Sequence, residues 1–188
     1  MKKRIFALTH INDVALLKGD TVNTSVIGTF RIEAYDIAHM GGKNMVGVMT
    51  VVEDGQAAKQ EYKKFKIKTV HQISDVDMHR EVMRRRLAHE EWGMPDLILI
   101  DGGKPQRNAA IAALRESRIK NQELRKIKVA ALAKREEELY TEGKMTPVRL
   151  ESLPQYIMHF FQHVRDESHR FAKKYHHKLR EIAFREHL

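Results

Sequence analysis

Two short, almost unbroken apolar runs constrain this chain more than any other feature. Leu97–Ile100 (LILI) and Ile127–Ala133 (IKVAALA) are too short for core helices, and apart from Lys128 they have no polar face to give to water. Such a strand needs cover on both sides, the condition found in the parallel part of a sheet with helices above and below. Helical periods elsewhere supply that cover. Asp75 through Glu91 carries Val76, His79, Val82, Met83 and Leu87 at helical spacing, with Asp75 placed as the N-cap. A second helix, Gln106–Ser117, follows the turn Asp101-Gly102-Gly103. From near Pro154 a stripe of Ile157, Phe161, Val164, Ser168, Phe171, Tyr175, Leu179 and Ile182 predicts a long final helix with one face seeking a sheet.

Upstream of these elements the period is that of strands. A strand from Arg31, the β-branched run Met45–Val52 closed by Glu53-Asp54-Gly55, and the alternating segment Gln60–Ile67 predict an antiparallel meander. Leu139–Leu150 reads as an irregular hairpin around Gly143. The order β-β-β-α-β-α-β, a hairpin and a long α predicts an α/β fold: a mixed five-stranded sheet flanked by helices. Residues 1–28, with the polar stretch Lys18–Ser25, are expected to be a lead-in segment, and 29–188 one domain.

Lys and Arg number 34 against 25 Asp and Glu, a formal charge of +9. That excess points to a polyanionic partner, nucleic acid or an anionic membrane surface. The cations are clustered. Lys59–Lys68 holds five lysines with Tyr62 and Phe65 among them, Arg84-Arg85-Arg86 interrupts the first helix, and Arg165–Arg180 holds six cations against two acids. Several such clusters on one sheet edge would form a sequence-independent phosphate track, whereas one alone is ordinarily a solvated face. The absence of cysteine excludes a disulfide scaffold, thiol catalysis and Cys-ligated zinc. No apolar run approaches the roughly 20 residues that span a bilayer. The opening MKKRIFALTH lacks a long apolar segment, so a cytoplasmic protein without a signal peptide is expected.

In sheets of this kind ligands gather beyond the carboxyl ends of parallel strands. Asp36, near the end of the first strand, and Asp101, directly after LILI, fall there. Two converging carboxylates repel unless a divalent cation lies between them, and hard oxygen ligands suit Mg²⁺ or Mn²⁺. Such ions activate water and stabilise the leaving oxygen in phosphodiester cleavage. Each aspartate also reads as a plain strand-end cap or turn former. His169 lies beside the apolar stripe of the last helix, with Lys173, His176 and Arg180 following on its face; the alternative is an ordinary surface histidine. Lys134 follows the second buried strand, where it is either placed for a phosphate or simply solvated. Walker-loop spacing, a GxSxG elbow, HExxH and an EF-hand pattern do not occur.

The blocks RIEAYDIAH (31–39), EYKKFKIKTV (61–70), PDLILIDGGKPQ (95–106), ALAKREEELY (131–140) and VRDESHRFAKKYHHKLR (164–180) closely resemble the C-terminal endonuclease half of the UvrC family, the bacterial nucleotide excision repair nucleases. FALTHINDVALLK (6–18) is similar to the segment preceding that domain. The resemblance implies a ribonuclease H-like fold. It places the family's Asp-Asp-His triad, catalytic and metal-binding, on Asp36, Asp101 and His169, and its active-site lysine on Lys134. The implied activity is Mg²⁺- or Mn²⁺-dependent incision on the 5′ side of a DNA lesion, within the complex that UvrA and UvrB assemble. Lys63, Lys64, Lys66, Arg170, Lys173 and Arg180 are expected to contact the DNA backbone. Ala38 stands where the family usually has Ser, and Pro105 where it usually has Gly; neither replaces a ligand. A GIY-YIG nuclease, a UvrB-binding hairpin and a tandem helix-hairpin-helix module are not found, so damage targeting is expected to lie outside these residues. Two rival readings stand beside this one: a catalytically inactive DNA-binding or assembly module, and an endonuclease V-like member of the same fold.

Overall fold

Hydrogen-bond pairing turns these runs into one continuous sheet. A computed structural model describes residues 30–40, 43–118, 124 and 127–185. The expected lead-in segment, residues 1–28, lies outside the described residues. Strands β1 (Arg31–Met40), β2 (Lys43–Glu53), β3 (Gln56–Ala57) and β4 (Lys63–Lys66) precede helix α1 (Asp75–Leu87). Then come β5 (Leu97–Asp101), α2 (Lys104–Arg118), β6 (Lys128–Ala133), β7 (Glu138–Thr141), β8 (Val148–Arg149) and α3 (Gln155–Arg185). The sheet runs β3-β2-β1-β5-β6-β7-β8, with β4 also pairing β2. β1, β5 and β6 are parallel neighbours, and the outer pairs are antiparallel.

Among the described residues the sheet has eight strands, against the expected five. β7 and β8 are the hairpin, drawn into the sheet as its edge, and β3 is a two-residue extension. Bridges that short leave no periodic trace in a sequence. The third strand is also shorter than its alternation implied, because Lys59–Glu61 winds into a 3₁₀ turn before β4. Helix α1 is capped one residue earlier than expected: Ser74 is extended, and its hydroxyl accepts from the Asp77 amide.

The period of two along the central strands sorts their side chains onto two cores. Tyr35, Met49, Val51, Ile98 and Ile100 face α1 and α2, and pack with Met78, Val82, Met83, Ala110 and Leu114. Ile32, Ala34, Val52, Leu97 and Leu99 face α3, and pack with Ile157, Phe161 and Val164. Helix α1 lies directly against β2: a Cβ on Gly47 would stand 2.6 Å from Val82 Cγ2. Among the described residues no helix is long and apolar enough to cross a membrane.

Candidate metal centre at the carboxyl edge

The register of the parallel strands sets the site. Tyr35 is level with Ile100 across β1 and β5, so Asp36 and Asp101 follow at the same height. Asp36 shares the parity of Ile32 and Ala34, and Asp101 that of Leu97 and Leu99, so both carboxylates are directed to the α3 side. The turn after Asp101 requires glycine: Gly102 has φ 149°, and a Cβ there would press on Gln106. Gln106 Oε1 in turn accepts from the Gly103 amide at 3.0 Å. Pro105 sits in the first turn of α2, where its missing N–H costs nothing.

Helix α3 supplies the third side chain. Its buried ridge Ile157, Phe161, Val164, Ser168 and Ala172 anchors it on the sheet and turns His169 toward the aspartates. His169 Nδ1 lies 3.1 Å from Asp36 Oδ2, and its Nε2 lies 3.3 Å from Lys134 Nζ. An ammonium has only donors, so His169 Nε2 accepts there and Nδ1–H donates to Asp36. Asp36, Asp101 and His169 each offer a ligand atom, all within 4.8 Å of one another. Two carboxylates and an imidazole are a donor set for a hard divalent ion.

The electrostatics agree with that fit. Burial raises the Asp36 carboxyl above its usual range, against the hydrogen bond and charge of His169. Burial, and then the charge of Asp36, push Asp101 up to about 6. Lys134 and Arg165 pull the other way without cancelling this. Burial thus outweighs the neighbouring cations at both carboxyls, and a bound divalent cation would favour their ionised forms.

The expected DNA contacts divide by the pleat of β4. Lys64 and Asp36 both pair with Val48, so Lys64 stands in line with the site on the α3 side. Its ammonium covers the rings of Phe171 and Tyr175, and burial and the nearby Lys178 and Lys174 lower its pKa. Lys66 is exposed on that same side. Lys63 points to the other face and covers the Trp92 ring. Arg170 is paired with Glu167, Lys173 is exposed, and the side chain of Arg180 lies outside those described. The run Arg84-Arg85-Arg86 is not one patch. Arg86 is fully buried on Glu33, and only Arg84 and Arg85 reach the surface. Consecutive helical residues point about 100° apart, so no such run can share one face.

Sequence reasoning passed over two residues of the site. Arg165, one turn before His169 on α3, is held by Glu137 and Asp166 and bears on Asp101; its i−4 spacing from His169 was the available signal. His79 on α1 is buried, its Nδ1 2.7 Å from the Asp75 carbonyl, and its charge couples to Asp36. Its burial was predicted by the apolar stripe, its proximity to Asp36 was not.

Comparison with known proteins places the sequence in a family. A family profile described as the UvrC RNAse H endonuclease domain matches residues 26–172. UvrABC system protein C of Koribacter versatilis is 44% identical over 159 residues, 82% of this chain and 25% of that protein. That of Acidobacterium capsulatum is 45% identical over 160 residues, 83% of this chain and 24% of that protein. The Methanosarcina mazei protein is 40% identical over 155 residues, 81% of this chain and 28% of that protein. The chain thus spans about a quarter of the length of these relatives. Among solved structures, Ciona intestinalis endonuclease V in complex with an inosine-containing DNA has a TM-score of 0.37 and 14% identity. It covers 57% of this chain and 48% of that chain, a likeness too slight to bear on fold or function. On the profile match over residues 26–172 and these relatives, this chain belongs to the UvrC RNAse H endonuclease domain family.

Proposed function

We propose that this chain is a divalent-metal-dependent endodeoxyribonuclease domain that makes the 5′-side incision beside DNA damage in nucleotide excision repair. The observation that carries this reading is the cluster at the carboxyl edge, where two half-buried to buried carboxylates and an imidazole offer ligand atoms within 4.8 Å of one another. Asp36, Asp101 and His169 would hold Mg²⁺ or Mn²⁺, which when bound lowers the pKa of water and offsets charge on the scissile phosphate. His169 is oriented by its Nδ1–H on Asp36, so Nε2, which accepts from Lys134, is the nitrogen that would bind the ion or take a proton. Lys134, 3.3 Å from that nitrogen, brings a cation to the phosphate oxygens and stabilises the charge developing on them. Arg165, Lys64, Lys66, Lys173, Arg170 and Arg180 supply further cations for the DNA backbone. Residues 29–188 act as one domain, in the cytoplasm. UvrA and UvrB are the partners that select the damage, through regions largely beyond this chain.

The test is Mn²⁺-dependent nicking of end-labelled duplex DNA by the parent and by Asp101→Asn. Cutting by the parent alone supports a metal nuclease carried within these residues. Failure of both proteins to cut, with no Mn²⁺ bound by the parent in calorimetry, removes the catalytic reading and leaves a DNA-binding module.

A further inference from the structure

A second cationic site lies on the opposite side of the same sheet edge. Strand β4 is antiparallel to β2, which is antiparallel to β1, so β4 leaves the sheet at the edge where Asp36 stands. Two strand spacings, about 10 Å, separate the two exits. Beyond β4 the chain turns at Lys68 and Thr69 and meets the outer flank of α1, enclosing a cavity of ≈ 400 Å³. Lys68, Arg80, Arg84 and Arg85 bring four cations to it.

The acids around this cavity are already engaged. Glu81 accepts from the amides of Lys68 and Thr69 at 2.9 and 2.8 Å, from the Thr69 hydroxyl at 2.6 Å and from Arg85 at 3.1 Å. These bonds hold its carboxyl below the usual range even against burial. Asp77 accepts from the Ser74 hydroxyl at 2.6 Å. Arg84 pairs with Glu116 across the surface, an exposed bond that a stronger acceptor displaces at little cost. Arg80 Nε is enclosed, and among the described residues it has no hydrogen-bond partner. With the nearby acids engaged, four cations around one cavity call for an anion with several acceptor oxygens.

We propose that this cavity binds a phosphate of the nucleic-acid backbone, held by Arg80 and Lys68, on the DNA that lies at the cleavage site. The inference rests on reading the chain as a DNA endonuclease. The cavity and the two carboxylates lie on opposite faces of one sheet edge, so a duplex laid across that edge would meet both. The site is a positioning contact: it fixes where along the backbone the DNA lies against Asp36 and Asp101, and takes no part in the chemistry.

The experiment compares the parent chain with Arg80→Gln and Lys68→Gln by fluorescence anisotropy on a labelled duplex across a salt series, with Mn²⁺ calorimetry and thermal melting alongside. Each variant is expected to bind about tenfold more weakly near 0.1 M salt, with a salt slope reduced by about one. Mn²⁺ affinity and melting temperature should remain those of the parent. Lys68 is exposed, so its variant tests the contact without disturbing the core. Binding by both variants with parental affinity and slope overturns the proposal while leaving the endonuclease reading intact. A parent that does not bind duplex DNA at all removes both. Weaker binding by Arg80→Gln alone, with a lowered melting temperature, marks Arg80 as structural and also overturns it. Unchanged DNA binding with loss of binding to a poly-glutamate peptide hands the cavity to an acidic protein partner instead.

Discussion

Glu33 and Asp36 stand on the same strand, three residues apart, and their carboxylates live in opposite circumstances. Glu33 is completely buried and saturated. Arg86 approaches it at 2.8 and 2.9 Å, Arg31 at 3.3 Å, and the Tyr35 hydroxyl at 2.6 Å. Arg86 extends the network to the His89 and Gly93 carbonyls, tying the end of α1 to the loop that leads into β5. Burial works against the Arg86 guanidinium, but Glu33 more than compensates and its pKa is raised. Asp36, by contrast, has His169 as a hydrogen-bond partner and Asp101 as a like-charged neighbour. Burial raises both of these carboxyls. One end of β1 thus spends its charges on holding the fold, while the other leaves its carboxylate less completely paired. Both carboxylates are buried, and completeness of pairing separates them.

The largest effects are expected at the Asp36 and Asp101 carboxylates. Asp36→Asn or Asp101→Asn should lower Mn²⁺-dependent nicking by about 10³-fold or more, measured on end-labelled duplex at pH 7.5. At the saturated end the loss should appear in stability. Arg86→Met leaves Glu33 with less compensation inside the core, and should cost about 3 kcal/mol or more in urea unfolding. The same Asp101→Asn that abolishes cutting should make the protein more stable at pH 8, by up to about 3 kcal/mol. The folded-state pKa of Asp101 is about 6, above its unfolded value of 3.8. Stability associated with its proton is therefore complete below about pH 4 and lost as pH rises through about 6. The advantage of Asn should accordingly vanish at pH 4, and Mn²⁺ should narrow it at pH 8 by stabilising the parent. The smallest effect belongs to Tyr35→Phe, which removes one of several bonds to Glu33. It should cost about 1 kcal/mol and leave nicking unchanged.

Much of this was legible in the residues. LILI and IKVAALA announced doubly covered parallel strands, and they became β5 and β6 at the centre of the sheet. The stripe from Ile157 announced α3 because burial on one helical face repeats every three to four residues. Other features were closed to such reading. Ser74 and Asp75 are both good caps, and the extended backbone that chose Ser74 comes from the path of the preceding loop. Arg86 looked like a member of a basic cluster until its buried partner, far away in sequence, was seen. The cavity beneath Arg80 depends on where the chain after β4 folds back, which no period encodes.

By itself the sequence determined which residues share a face, because strand parity and helical pitch are consequences of local covalent geometry. Asp36 follows the parity of Ile32 and Ala34, and Asp101 that of Leu97 and Leu99, whatever the rest of the chain does. Only the tertiary structure decided that those two faces meet in parallel register, and that α3 docks with His169 within 3.1 Å of Asp36. Register and docking are settled by burying two cores at once, between residues up to 133 positions apart, and pairings over such separations leave no local signature.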